Sequence, residues 1–170
     1  MALYYDELDS PIGRMIIIAD EDKVVRIDYA TVSSADSRKA WLGRYFPNVD
    51  LIHWPEQVKQ AKQELLDYFQ GMRQQFSFAF AFYGTPFQKQ IWQSLINVAP
   101  YGETTAYKAI AEAIGNPKAV RAAGGAISKN PISIVVPCHR IIGSDGKMVG
   151  YNGGLDKKNF LLTHEKNCCQ

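Results

Sequence analysis

The chain has 170 residues, of which 46% are hydrophobic and 21% charged, and its formal net charge is +2 at pH 7. This composition is ordinary for a soluble globular protein and excludes a disordered chain, and the length suffices for one good core or two small ones. A charge this mild neither indicates nor excludes a nucleic-acid partner.

The N-terminus and the cysteines indicate the compartment. No apolar run approaches the roughly 20 residues of a membrane helix, and the first residues lack the basic segment of a secretory signal. The only cysteines are Cys138, Cys168 and Cys169, an odd number that favours a reducing compartment over a disulfide framework. No zinc-ligand spacing is present. We therefore expect a cytoplasmic protein with no membrane association and no metal.

The chain begins with three predicted strands. Turns at residues 10–13 and 20–23 separate apolar segments, and strands joined by such short turns form an antiparallel meander. Two helices are predicted next, one over 35–46 that ends before Pro47 and one from near Pro55.

Residues 76–82 alternate phenylalanine with serine or alanine. A period of two is typical of a strand or an extended segment with one buried face. The four phenylalanines are predicted to be part of a core, and a platform for stacking nucleic-acid bases is the alternative. We place a domain boundary near Phe82, between an N-terminal α/β structural domain over 1–82 and a C-terminal domain over 83–170.

The second half is predicted to be mostly helical. Its first helix has Thr85 as N-cap and Pro86 as its first residue. A second helix over 106–114 is predicted to be capped by Thr105, and a third covers about 118–128. The chain as a whole therefore predicts an α/β (α+β) fold, with an N-terminal antiparallel three-stranded sheet with helices followed by a mostly helical domain.

The last two of these helices, joined by a turn at 115–117, have the shape of a helix-turn-helix, whose second helix meets DNA. That second helix has almost no side-chain bulk except for Arg121. Its small residues are Ala119, Ala122, Ala123, Gly124, Gly125 and Ala126. Such a helix suits the minor groove, with Arg121 inserted into the base stack, because it lacks the long polar side chains that read the major groove. Close packing inside the protein is the alternative for the same small residues.

A cysteine and a histidine are adjacent in Pro137-Cys138-His139-Arg140. Cysteine attacks as the thiolate, so a reactive cysteine needs a base or a cation nearby; His139 can take the proton, and Arg140 can add positive potential. The apolar run at 132–136 is predicted to be a short buried strand that Pro137 ends. A buried cysteine without chemistry is the alternative, and adjacency alone does not decide between them.

Several motifs between residues 84 and 165 carry a family resemblance. They are Gly84-Thr85-Pro86-Phe87-Gln88, Gly115-Asn116-Pro117-Lys118-Ala119-Val120-Arg121, Asn130-Pro131, Pro137-Cys138-His139-Arg140-Ile141-Ile142-Gly143, Gly150-Tyr151-Asn152-Gly153-Gly154-Leu155, Lys158 and His164-Glu165. In order and spacing they resemble the O6-alkylguanine-DNA alkyltransferases. The first 80 residues resemble that family only in length and rough pattern.

The resemblance implies a reaction and a site. In the family a cysteine takes the alkyl group of O6-alkylguanine in DNA, and O4-alkylthymine is a second candidate substrate; the reaction occurs once per molecule and needs no cofactor. The implied catalytic residues are Cys138, His139, Glu165, Asn130 and Tyr107. The implied substrate-binding residues are Tyr151, Asn152, Lys158, Val149 and Ile127. The implied DNA-binding residues are Arg121, Tyr107, Ala119, Ala122, Gly124 and Lys118. The family often has serine where Asn152 stands, so a side-chain role is open there.

The expected partner is double-stranded DNA bound through the minor groove, and the expected state is a monomer. A guanine inside a duplex cannot bring its O6 substituent to a thiolate, so its nucleotide must be flipped out. One alternative function is a helix-turn-helix regulator with a reactive sensor cysteine. Another is a cysteine hydrolase, although no oxyanion hole is signalled in the sequence.

Overall fold

The structure, a computed structural model, describes residues 1–143, 145–146, 150–151 and 153–169. Its internal packing divides the chain into two units, Met1–Tyr83 and Gly84–Gln170. The first unit is built on a sheet and the second on helices, which confirms the predicted fold class. No helix of the described ranges is both long and apolar enough to cross a membrane.

The sheet of the first unit has four strands rather than the predicted three. Strands β1 (Ala2–Ser10), β2 (Gly13–Ala19) and β3 (Val24–Tyr29) form the predicted antiparallel meander. Strand β4 (Asp50–His53) pairs in parallel with β1, and the strand order is β3-β2-β1-β4. All four β4 residues are exposed, so this edge strand carries no alternation of apolar and polar residues that would reveal it in the sequence.

The helices of the first unit begin at local signals. Helix α1 (Val32–Tyr45) begins three residues before its predicted start, because the Thr31 side chain accepts a hydrogen bond from the Ser34 amide and caps it. The second predicted helix is a 3₁₀ turn, Pro55–Val58, that continues into α2 (Lys59–Phe69).

The alternating phenylalanine segment is extended but forms only one bridge, between Phe80 and Val24. Successive rings of Phe76, Phe78, Phe80 and Phe82 contact one another with centroids 5.8, 6.4 and 5.5 Å apart. Phe78 is buried and the other three are half-buried. This mutual packing is what a structural role requires.

The second unit contains four helices and a two-stranded parallel sheet among its described residues. In chain order they are α3 (Pro86–Val98), β5 (Thr105–Ala106), α4 (Tyr107–Ala113), α5 (Val120–Ser128), β6 (Ile141–Ile142) and α6 (Leu155–Cys168). The predicted start of α3 is confirmed, with a capping box between Thr85 and Gln88. The predicted cap at Thr105 is wrong, because Thr105 lies in β5 and α4 begins without a side-chain cap.

The predicted strand at 132–136 is also wrong, although its residues are largely buried. The chain turns tightly there: Ile134 has a φ of +73°, and the Val136 amide donates to the Ile132 carbonyl oxygen over 3.0 Å. The Asn130 side chain takes the place of a neighbouring strand. Its Oδ1 accepts from the Ile132 amide and its Nδ2 donates to the Val136 carbonyl oxygen, each at 2.9 Å.

Candidate active site

Cys138 begins a single 3₁₀ turn, Cys138–Arg140, which follows the tight loop at residues 132–136 and leads into β6. The side chains of this turn are buried, and Cys138 is 6% exposed. Asn130 Nδ2 donates to Cys138 Sγ at 3.1 Å as well as to the Val136 carbonyl oxygen. One amide therefore holds both the loop before the cysteine and the thiol itself.

His139 is joined to Glu165, which α6 brings from 26 positions later in the chain. The distance between His139 Nε2 and Glu165 Oε2 is 2.6 Å, and both side chains are fully buried. The carboxylate can only accept, so Nε2 carries the hydrogen of a neutral ring and Nδ1 keeps a lone pair. Nδ1 is buried and has no hydrogen-bond partner within the described part of the chain.

Arg140 contacts Glu165 rather than the cysteine. Its Nε donates to Glu165 Oε1 at 2.7 Å and its Nη2 to Oε2 at 3.1 Å. The positive charge that lowers the pKa of the Cys138 thiol is that of Lys158. The prediction that Arg140 adds positive potential at the thiol is therefore corrected.

Electrostatics keep the resting site neutral at the thiol and at the imidazole. Burial raises the pKa of Cys138 to about 11, against the hydrogen bond from Asn130 and the charge of Lys158. Burial also lowers the pKa of His139, although Glu165 opposes this. With a thiol pKa near 11, ionisation at pH 7 costs about 5 kcal/mol, so a base must take the proton as the reaction proceeds.

Glu165 is the ionised member of the group. Burial alone would raise its pKa, but hydrogen bonds and charges from His139 and Arg140 outweigh burial and lower it. Lys158, also on α6, is fully buried and donates from Nζ to the Ile141 carbonyl oxygen. Burial lowers the pKa of Lys158, and the charge on Cys138 opposes that shift.

A cavity of about 280 Å³ opens onto Cys138. Its lining residues are Tyr107, Gly124, Ile127, Ser128, Cys138, Gly150 and Tyr151. Ligand pockets typically start at about 300 Å³, so this cavity suits something the size of a single base. The structure thus brings five residues of the predicted site together. It adds Ser128, which carries no distinguishing sequence signal, and Gly150, which belongs to a family motif but is not among the implied site residues. Val149 and Asn152, two predicted substrate-binding residues, lie outside the described residues.

Five of the six predicted DNA-binding residues lie on α5 or just before it, and the sixth, Tyr107, is the first residue of α4. Lys118, Arg121 and Ala122 are exposed and Ala119 is half-buried. Arg121 makes no hydrogen bond or ion pair with any residue that the structure describes.

The opposite face of α5 packs inward through Ala123, Ala126 and Ile127, and Trp92 Nε1 donates to the Ala126 carbonyl oxygen at 2.9 Å. The small residues of α5 therefore serve internal packing on one face and leave a smooth exposed surface on the other.

Comparisons with known proteins cover both units. Residues 3–82 match the family described as "6-O-methylguanine DNA methyltransferase, ribonuclease-like domain", and residues 86–167 match "6-O-methylguanine DNA methyltransferase, DNA binding domain". A Methanosarcina barkeri protein named methylated-DNA–protein-cysteine methyltransferase is 41% identical over 165 residues, which is 97% of this chain and 98% of the relative. A constitutive protein of that name from Bacillus subtilis is 37% identical, with 96% and 95% covered.

Solved structures agree with these matches. The crystal structure of Mycobacterium tuberculosis O6-methylguanine methyltransferase has a TM-score of 0.84 at 36% identity, covering 97% of this chain and 93% of that one. The structure of M. tuberculosis OGT in complex with DNA also has a TM-score of 0.84 at 36% identity, with 97% and 94% covered. The resemblance seen in the sequence motifs is confirmed: the chain belongs to the 6-O-methylguanine DNA methyltransferase family.

Proposed function

We propose that this protein repairs DNA by transferring the alkyl group of O6-alkylguanine to Cys138, once per molecule. The observation that carries the proposal is a base-sized cavity lined by Cys138, in a chain whose His139–Glu165 pair leaves one imidazole nitrogen as a proton acceptor. Relatives named methylated-DNA–protein-cysteine methyltransferases and a structural relative bound to DNA support it.

The first step moves a proton from the thiol. Glu165 accepts from His139 Nε2 and so fixes the tautomer in which Nδ1 is the base. Nδ1 takes the Cys138 proton directly or through one water, and the resulting imidazolium is stabilised by the carboxylate. The Asn130 amide and the Lys158 ammonium stabilise the thiolate that forms, since both lower the pKa of Cys138.

The second step is a displacement at carbon. The Cys138 thiolate attacks the alkyl carbon, and the bond between that carbon and O6 breaks. The electron pair of that bond moves onto the guanine, so the guanine needs a proton or a hydrogen-bond donor. Tyr107 lines the cavity, and burial, with the charge of Cys138, raises the pKa of its phenol, so its hydroxyl stays a donor at neutral pH. Tyr151 also lines the cavity and packs against the base.

DNA is bound through its minor groove by the exposed face of α5. Arg121 is exposed there without a protein partner among the described residues, so it is available to fill the stack that a flipped nucleotide leaves. Lys118, also exposed, is placed to contact a phosphate. The protein acts as a monomer and uses no cofactor.

The test is the mass of the protein after incubation with O6-methylguanine DNA. We expect one added methyl group, located on the peptide that contains Cys138, and none in Cys138→Ser, which should still bind DNA. Sequence-specific DNA binding without any methyl transfer would refute the proposal and support the regulator alternative.

A further inference from the structure

The Arg140 guanidinium uses three of its nitrogens in the buried site. It donates twice to Glu165, and its Nη1 donates to the Ala99 carbonyl oxygen at 2.7 Å. Its Cζ lies 5.5 Å from the centre of the Tyr101 ring. Arg140 therefore ties the carboxylate of α6 to the C-terminal end of α3, where Ala99 is the C-cap.

We propose that Arg140 is a positioning residue of the transfer reaction, whose planar fork holds both carboxylate oxygens of Glu165 so that Oε2 faces His139 Nε2. This inference rests on the proposed function. A carboxylate held by one partner alone could rotate about its last bond, whereas two parallel N–H donors fix its plane. Lysine cannot replace the fork, because its ammonium acts as a point charge.

The charge of Arg140 also lowers the pKa of His139. His139 faces Glu165, Arg140 and Lys158, and Glu165 faces His139, Arg140, the Tyr101 ring and the Gly102 amide. Burial raises the pKa of Tyr101 to about 12, assisted by the charges of Cys168, Glu165 and Cys169, so its hydroxyl stays neutral. His139 rests as the neutral base, because burial, together with the charges of Arg140 and Lys158, lowers its pKa more than Glu165 raises it.

Loss of the Arg140 charge has a definite sign. Burial lowers the pKa of His139, and Arg140 lowers it further, while Glu165 raises it. Without Arg140 the pKa of His139 rises, so a larger fraction of the imidazole is protonated at a given pH and cannot accept the thiol proton. The acid limb of the pH–rate profile, in which the transfer rate falls as His139 takes up a proton, should then move to higher pH.

The experiment compares Arg140→Gln and Arg140→Lys with wild type in single-turnover methyl transfer from O6-methylguanine DNA across a pH series. We expect Arg140→Gln to be slower by about 10- to 100-fold, the effect of losing hydrogen bonds to a charged group, with its acid limb at higher pH. Arg140→Lys should be slowed but should keep the wild-type acid limb. Affinity for unmodified DNA should not change in either.

Arg73→Gln is the matched control, because it breaks another arginine–glutamate pair, with Glu64 in the first unit, and should leave the rate unchanged. A double-mutant cycle covers the case in which Arg140→Gln folds poorly. In a Glu165→Gln background there is no carboxylate to position, so adding Arg140→Gln should change the rate by no more than about twofold.

If Glu165→Gln and Arg140→Gln each slowed the transfer and their fold-reductions in rate multiplied in the double variant, the inference would be overturned. An Arg140→Gln protein with the wild-type rate and acid limb would also overturn it. A slower rate with an unmoved acid limb in Arg140→Gln would reduce Arg140 to a structural role and would also overturn it. Failure of wild type itself to transfer the methyl group would instead refute the proposed function.

Discussion

Asn130 offers the sharpest single perturbation, because one side chain supports both the loop and the thiol. In Asn130→Ala the Ile132 amide loses its only hydrogen-bond partner in the described structure, at about 1–3 kcal/mol. The Val136 carbonyl oxygen loses one of two donors, since the Cys138 amide still reaches it at 2.8 Å, at about 0.5–1.5 kcal/mol. We therefore expect the free energy of unfolding to fall by about 1.5–4.5 kcal/mol, and the protein to remain folded at 25 °C.

The same change should slow the chemistry. The hydrogen bond from Asn130 lowers the pKa of Cys138, so losing it makes the thiolate harder to form. A hydrogen bond to a charged group contributes about 1.5–3 kcal/mol, which corresponds to a 10- to 100-fold slower transfer. Asn130→Asp keeps an acceptor for Ile132 but places a buried oxygen against both Cys138 Sγ and the Val136 carbonyl oxygen, so it should lose at least as much stability as Asn130→Ala and more rate.

The assays are urea unfolding and single-turnover transfer. Asn97→Ala is the matched control, because Asn97 is exposed on α3 and accepts from the neighbouring Gln93 side chain, at 3.2 Å. It should change stability by less than about 0.5 kcal/mol. An Asn130→Ala protein as stable as this control, or an Asn130→Asp protein as fast as wild type, would refute the role assigned to Asn130.

Three further predictions concern DNA, capping and acid. Arg121→Ala should slow repair of duplex DNA far more than reaction with free O6-benzylguanine; equal slowing of both would make Arg121 structural. Thr85→Ala should lower the free energy of unfolding by about 1 kcal/mol in urea titrations, because it removes the α3 cap, and an unchanged midpoint would contradict this. Stability should fall from pH 7 to pH 5, because the lowered pKa of buried His139 makes the unfolded chain bind the proton more readily below about pH 6.5. The loss should continue below about pH 4.5, where the unfolded form of Glu165 takes up a proton that its folded form, with a lowered pKa, resists. Urea midpoints at pH 7, at pH 5 and below about pH 4.5 test this, and His139→Gln should flatten the first part of the loss.

Sequence reasoning succeeded where the signal was local. The cap and first residue of α3 are adjacent in the chain, and the meander of β1 to β3 follows from apolar runs separated by turns. It failed where a side chain took over a backbone role. The apolar pattern of residues 132–136 predicts a buried strand, but the Asn130 side chain bonds to both ends of this segment and the segment turns instead.

The site divides in the same way. Adjacency of Cys138 and His139 is visible in the sequence, and the family motifs brought in Glu165, but no pattern shows that Arg140 turns away from the thiol to hold that carboxylate. Such a pairing depends on how α6 packs against the 3₁₀ turn, which is a property of the fold rather than of any short segment.

The most direct test of the central claim is a titration of a fixed amount of protein with increasing O6-methylguanine DNA. A thioether on Cys138 has no good leaving group, so each molecule should act once. We predict a plateau at one methyl group per protein however long the incubation, with every methyl on Cys138 and none on Cys168 or Cys169. A steady increase beyond one equivalent, or methyl groups on the C-terminal cysteines instead, would contradict the account.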